Sequence, residues 1–282
     1  METWGVNMKK ILVNGLAESA GKTASVLGLY SHLRKFGGVS LLKPLAGNNY
    51  WHDYPILVEG IREGRIYGKD AKLLSKASGV KEEIVNPLHR LWIPSKLAGT
   101  GGTAENTVML DRIYDGEKTH ALLNSQVKIS TGIFPFLENI DNLEKYSDEK
   151  EHTRLVESIY PEAFQNSRSQ ARGSDFLIIE SYSKIAIPYP VSDVDLVVTV
   201  EPGRAYLSDG EKFEEAESLA LEIYAEYGFE ETRAGKCLEA IDSEAFTIFP
   251  IDLETAPPEE GYVEYEDLAE AVIGQLENDP AD

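Results

Sequence analysis

Cysteine is almost missing from this chain: Cys237 stands alone among 282 residues. That excludes an intrachain disulfide and leaves no cysteine set for a zinc site. Long apolar runs are missing as well, with nothing near the roughly 18 consecutive apolar residues of a membrane-spanning helix. The first residues, METWGVNMKK, lack the apolar core of a secretory signal, so a cytoplasmic setting is expected. Positive charge is scarce. Against 48 acidic residues there are 27 lysines and arginines, a net charge of −21. A surface of that sign disfavours nucleic-acid backbones and anionic membranes, which select basic proteins, so neither is expected as a partner. The acidity has two readings, a salt-adapted cytoplasm or simply an acidic chain with an acidic tail (LETAPPEEGYVEYEDLAEAV), and both stay open. His32, His52, His120 and His152 show no metal-ligand spacing, and no Ser/His/Asp or Cys/His arrangement is readable.

What is present is concentrated in KKILVNGLAESAGKT, residues 9–23. An apolar strand, Ile11–Val13, enters a loop of small residues that closes on Gly21-Lys22-Thr23, and the amphipathic ASVLGLYSHLRKFG follows at once. This is the strand–loop–helix order of a P-loop, in which loop amides and the helix N-terminus converge on an anion. Lys22 is the group that reaches the β- and γ-phosphates of a nucleotide such as ATP, and the Thr23 hydroxyl is the one that holds Mg²⁺. Gly15, Ala17, Ser19, Ala20 and Gly21 are small enough for the backbone to approach phosphate closely. The spacing departs from the standard pattern: Gly15 stands one residue early and Leu16 takes the usual glycine position. Glu18 also sits in the loop, placing a carboxylate near the expected phosphates.

Apolar runs predict strands at Ile11–Val13, Val39–Leu42, Phe176–Ile179, Leu196–Val200 and Phe246–Phe249. Several are continuous enough for strands buried on both faces of a parallel sheet. Periodicity predicts helices over Lys22–Phe36, Ala71–Ala77, Glu211–Glu226 and Tyr265–Leu276, with Gly37-Gly38 and Gly228 as stop signals. The alternation implies one doubly wound, mostly parallel α/β domain over residues 1–282, with ligands at the carboxyl ends of its strands. Residues 86–173 break the alternation and read as an insertion or lid. They hold β-like stretches at Val108–Tyr114 and His120–Leu123, the cluster IFPFL, and the polar DNLEKYSDEKEHTRLVESIYPEAF; SRSQARGS reads as a mobile loop.

Three further residues carry chemistry by position. Lys43, in LLKPLAGNN, lies just past a strand's carboxyl end, where it can neutralise a phosphate or a substrate carboxylate. Glu180 ends the apolar run of SDFLIIES, and an acid at a buried strand end needs a partner such as a metal ion. Asp70, in GKDAKLLSKASG, is either the N-cap of the following helix or an oxygen ligand for Mg²⁺. His89 and Arg90, in NPLHRLW, are weaker candidates for an anionic substrate.

In this order the segments carry a family resemblance. GLAESAGKT resembles the phosphate loop of dethiobiotin synthetases and of the synthetase domains of cobyrinic acid diamide synthases. LLKPLAGNN resembles their K-P-V-x-S-G strand end, GKDAKLLSKASG with VNPLHRLWIPS their S-D-A and N-P segments, and FLIIES their V-E-G-A-G strand end. The set spans most of residues 9–183. The resemblance implies a Mg²⁺–ATP-dependent synthetase site in which Gly15, Glu18, Ser19, Ala20, Gly21, Lys22 and Thr23 line the phosphates. It implies Thr23, Asp70 and Glu180 around the metal, and Lys43 facing both the γ-phosphate and a small anionic substrate. Such enzymes phosphorylate a carboxylate or carbamate, and positive charge on the transferring group drives that step. Thr247-Ile248-Phe249-Pro250 resembles the strand end that frames the adenine. Unlike those families, Glu180 is followed by Ser181-Tyr182-Ser183 and not by glycines. A nucleotide-dependent regulator acting on a protein partner is therefore the alternative, and a homodimer stays open. Partition-type ATPases are disfavoured because their signature lysine position holds Ala17.

Overall fold

The computed structural model describes residues 8–98, 106–225, 232–255 and 257–277. In chain order its first elements are β1 (Lys9–Gly15), α1 (Lys22–Leu33), β2 (Val39–Leu42), β3 (Leu45–Asn49), α2 (Tyr54–Arg62), α3 (Lys69–Ser78) and α4 (Glu82–Val85). Next come β4 (Leu88–Pro94), α5 (Ser95–Ala98), β5 (Asn106–Tyr114), β6 (Thr119–Asn124), α6 (Phe134–Leu137), β7 (Asn142–Tyr146) and α7 (Glu149–Ser169). The chain continues with β8 (Phe176–Glu180), β9 (Leu196–Glu201), β10 (Arg204–Asp209), α8 (Gly210–Ala225), α9 (Ala234–Leu238), β11 (Glu244–Thr247) and α10 (Glu266–Glu277). It is an α/β protein with two mixed sheets, and its described residues form two compact units. Among the described residues no helix is long and apolar enough to cross a membrane. The N-terminal METWGVN, and the stop expected at Gly228, lie outside the described residues.

The first unit takes in residues 8–44, 76–79 and 171–277 and carries a six-stranded sheet in the order β11-β10-β9-β1-β8-β2. β2, β8, β1 and β9 run parallel, as their apolar runs predict, and Ile11, Leu12, Val13, Ile178, Val197 and Val198 are fully buried. Each such side chain contributes about 1.5–3 kcal/mol on leaving water. The parallel expectation fails beyond β9. Pro202 and Gly203 make a two-residue turn, with Gly203 at φ 85°, and a turn that short can only return β10 antiparallel. β11 reverses again along β10 and is mostly exposed, so it is a solvated edge and not the buried strand expected over Phe246–Phe249. α1 packs on β1 and β8, and α10 lies along α1, where a Cβ at Gly28 would fall 2.3 Å from the Tyr265 ring.

The second unit takes in residues 45–75 and 80–170, so the segment expected as an insertion falls within it up to residue 170, together with residues 45–75. Its sheet runs β3-β4-β5-β6-β7, with β3–β4 and β6–β7 parallel and the central pairs antiparallel. Leu57, Ile61, Leu91, Met109 and Phe136 anchor its core. The polar stretch of that segment is largely α7, a helix of 21 residues. Asp148 caps it by accepting from the Glu151 N–H at 2.9 Å, and Glu151 accepts in return from the Ser147 N–H at 2.9 Å. SRSQARGS, expected as a mobile loop, begins inside α7, and Ser167 and Ala171 are buried.

Candidate functional site

The β1–α1 connection is a short loop of mostly small residues. Residues 16–21 join the strand to the helix, and the Leu16 N–H donates to the Val200 carbonyl at 2.9 Å, tying the loop to β9. Gly21 stands at φ 97° as the residue before α1, a conformation that a side chain would strain. Gly15 is needed for a different reason. A Cβ there would lie 3.1 Å from the Ala20 Cβ and 3.3 Å from the Lys22 Cγ, in the path of the lysine stem. Gly21 offers α1 no side-chain cap, and the first turn holds no acid. A helix start of that kind favours an anion through its leading N–H groups and dipole. Glu18 and Ser19 are exposed on the loop, while Ala20 is buried beneath it.

The end of β8 gathers the expected polar residues of this unit. Leu42 of β2 is in register with Ile179 of β8, so Lys43 and Glu180, one step further on, emerge side by side. Glu180 is fully buried, Lys43 nearly so, and the two form an ion pair through Nζ and Oε1. The Thr23 hydroxyl donates to the same Oε1 at 3.1 Å. Lys22 Nζ donates to the Ser183 carbonyl at 2.8 Å, and Ser183 stands at φ 46°. Three of the residues singled out from sequence (Thr23, Lys43 and Glu180) are therefore joined by two contacts across α1, β2 and β8, and Lys22 is tied to the segment that follows Glu180.

Two residues that sequence reading passed over help to hold this arrangement. Ser183 supplies the carbonyl on which Lys22 rests. Asn14, buried inside an apolar strand, donates through Nδ2 to the Ala186 carbonyl at 2.8 Å and fixes the segment after β8. A lone asparagine in ILVNG was the available signal for it. The same segment is gripped from α8: the Ile187 N–H donates to Glu217 at 3.0 Å and the Val194 N–H to Glu214 at 3.0 Å. Burial pushes the Glu217 carboxyl up, the Ile187 N–H pulls it back and the Glu214 charge pushes it up again, leaving it at about 7. Cys237 is buried, and burial with the Glu217 charge pushes its thiol up to about 12, which makes it a structural side chain and a poor nucleophile.

Other expected residues lie elsewhere. Asp70 belongs to the second unit, and the cap reading is corrected. α3 begins at Lys69, and the Lys72 N–H already donates to the Gly68 carbonyl at 3.1 Å, so Asp70 sits within the first turn. Pro250 is exposed in the loop after β11. The register of β11, β10 and β9 sets that loop at the edge of the sheet where β9 ends, three strands from β1. His89 is wholly buried, with its Nδ1 3.3 Å from the Asn86 Oδ1. Arg90 donates twice to Asp111, at 2.8 Å each, and His152 Nε2 lies 2.7 Å from the same carboxylate. Both candidates thus have structural work within their sheet.

Among the described residues no three His, Cys, Asp or Glu side chains cluster as a protein-only metal cage. The donors that are present, one carboxylate and one hydroxyl beside a helix N-terminus, suit Mg²⁺ carried by a phosphate chain, which keeps most of its shell from phosphate and water. No protein-family model matches the chain, and no match was found among curated proteins or solved structures.

Proposed function

We propose that the chain binds Mg²⁺–ATP at the β1–α1 loop and transfers its terminal phosphoryl group to a small anionic acceptor. The observation that supports this most is the convergence of Lys22, Thr23, Lys43 and Glu180 at one end of the six-stranded sheet. In this reading the loop amides and Lys22 hold the phosphates, with Gly15, Ser19, Ala20 and Gly21 shaping the loop and Glu18 at its rim. Thr23 and Glu180 hold Mg²⁺, which neutralises the phosphate chain as charge shifts toward the leaving group. Pro250 is retained as a neighbour of the base on the family resemblance alone, and Asp70, which belongs to the second unit, is given no part in this site. Lys43 positions and neutralises the acceptor, a carboxylate or carbamate in a synthetase-type reaction. A cytoplasmic enzyme without nucleic-acid or membrane partners belongs to the same proposal, with a homodimer left open.

One feature favours a second reading. Ser181-Tyr182-Ser183 follow Glu180 in place of glycines, and the Ser183 carbonyl holds Lys22. A segment of that kind suits a regulator that reports nucleotide occupancy to a protein partner. Calorimetry with a nonhydrolysable ATP analogue tests what the readings share: Lys22→Ala should lower affinity at least about a hundredfold while the protein stays folded. Unchanged affinity ends both. A small acid that raises ATP consumption then selects the synthetase, and a protein that does so selects the regulator.

A further inference from the structure

Lys43 and Thr23 meet on one oxygen of Glu180. A carboxylate oxygen has two in-plane lone pairs, and here an ammonium and a hydroxyl engage it together. Glu180 is fully buried and Lys43 is 3% exposed, so the pair is shielded from solvent and its charges are felt at short range. The side-by-side placement is fixed by the β2–β8 register and does not depend on a flexible loop. A divalent cation brought to Thr23 and Glu180 would meet the Lys43 charge at the same carboxylate, in a medium that screens poorly.

We propose that Lys43 is the resting counter-ion of Glu180 and that a metal–nucleotide displaces it, so that the ammonium turns to the terminal phosphate only after the metal has arrived. The inference rests on the nucleotide reading above and adds an order of events to it. Before binding, the buried carboxylate is neutralised by the chain's own lysine, which spares it the cost of an uncompensated charge. When the metal takes over that neutralisation, Lys43 becomes surplus positive charge, and the terminal phosphate is the group that can receive it. A diphosphate lacks the γ-phosphate, and in this reading its terminal β-phosphate is already held by Lys22. Lys43 should therefore oppose the metal in the diphosphate complex and favour binding in the triphosphate complex.

Mn²⁺ binding, read by electron paramagnetic resonance, separates these cases without any turnover. With ADP present, Lys43→Gln should bind Mn²⁺ about fivefold or more tightly than wild type, since a like charge has been removed. With a nonhydrolysable triphosphate the gain should vanish, and the preference for triphosphate over diphosphate should shrink by a similar factor. Lys43→Arg, which keeps the charge, should retain wild-type metal affinity with ADP. A Lys43→Gln protein that binds Mn²⁺ with ADP equally or more weakly overturns the exchange. Should that variant not fold, ¹⁵N-lysine spectra of wild type decide the matter. The Lys43 ammonium signal should move when MgCl₂ and the triphosphate analogue are added together, and an unmoved signal overturns the proposal. If wild type binds no nucleotide at all, the function reading itself has failed and the exchange falls with it.

Discussion

Glu217 offers the sharpest numerical test of the physics around this site. Its carboxyl is half-buried on α8 and accepts the Ile187 N–H, and its folded-state value is about 7 against an ordinary 4.5. The sign follows from proton binding. Between those values the folded chain keeps a proton that the unfolded chain has released, so stability falls as pH rises through the interval and levels off above about 7. Full desolvation would set the loss near about 3 kcal/mol, and solvent screening of a partly exposed group reduces it to about 1–2 kcal/mol. Glu217→Gln keeps an acceptor for Ile187 and never ionises. In urea unfolding followed by circular dichroism, its stability should match wild type near about pH 4 and exceed it by about 1–2 kcal/mol near about pH 8.5. The Glu217 side-chain carbon in wild type should titrate with a midpoint near 7 in an NMR series. An ordinary midpoint near 4.5, or a variant no more stable at high pH, would refute the argument.

Two more outcomes follow from packing and charge. Burial pushes the Asp111 carboxyl up, but the Arg90 charge and the Arg90 and His152 hydrogen bonds outweigh it and hold it below the usual range. Asp111→Asn should cost about 3–5 kcal/mol in urea unfolding near neutral pH, because it strands Arg90; the wild-type advantage should disappear in acid, as pH falls through the lowered Asp111 value. Gly28→Ala would set a Cβ 2.3 Å from the Tyr265 ring and should lower stability by about 1–3 kcal/mol by forcing α1 and α10 apart, measured as a drop in melting temperature.

Much of the first unit was legible because its signals are local. β1, β2, β8 and β9 are short runs of aliphatic residues, and such runs are stable only where both faces are covered. α1, α8 and α10 follow from periodicity and their flanking residues. β11 was misjudged because Phe246 and Phe249 look like core, whereas its partner β10 leaves it at a solvated edge. α7 was hidden by its composition. Most of its surface faces water and Pro161 stands inside it, yet the reciprocal Ser147–Glu151 and Asp148–Glu151 bonds were readable as a capping box. The five-stranded sheet was out of reach because its pairing depends on register between distant segments. At the site, position alone marked Lys43 and Glu180 as strand-end residues. That they bind each other is a product of β2–β8 register, which no motif encodes.

The charge balance of the chain gives the Lys43–Glu180 pair its significance. A net charge of −21 repels free anions over the reach of its field, about 8–10 Å in physiological salt. With Lys43 committed to Glu180, its charge is balanced within the resting site, while Lys22 donates to a neutral carbonyl. A nucleotide arriving as its metal complex carries about half the negative charge of the free anion, so it meets less repulsion. On the proposed exchange its metal would also neutralise Glu180 and free Lys43 to balance phosphate charge. Under the proposed function, an acidic chain would thus admit the metal-loaded form of its ligand in preference to the bare one. Lys43 would act only after that choice was made.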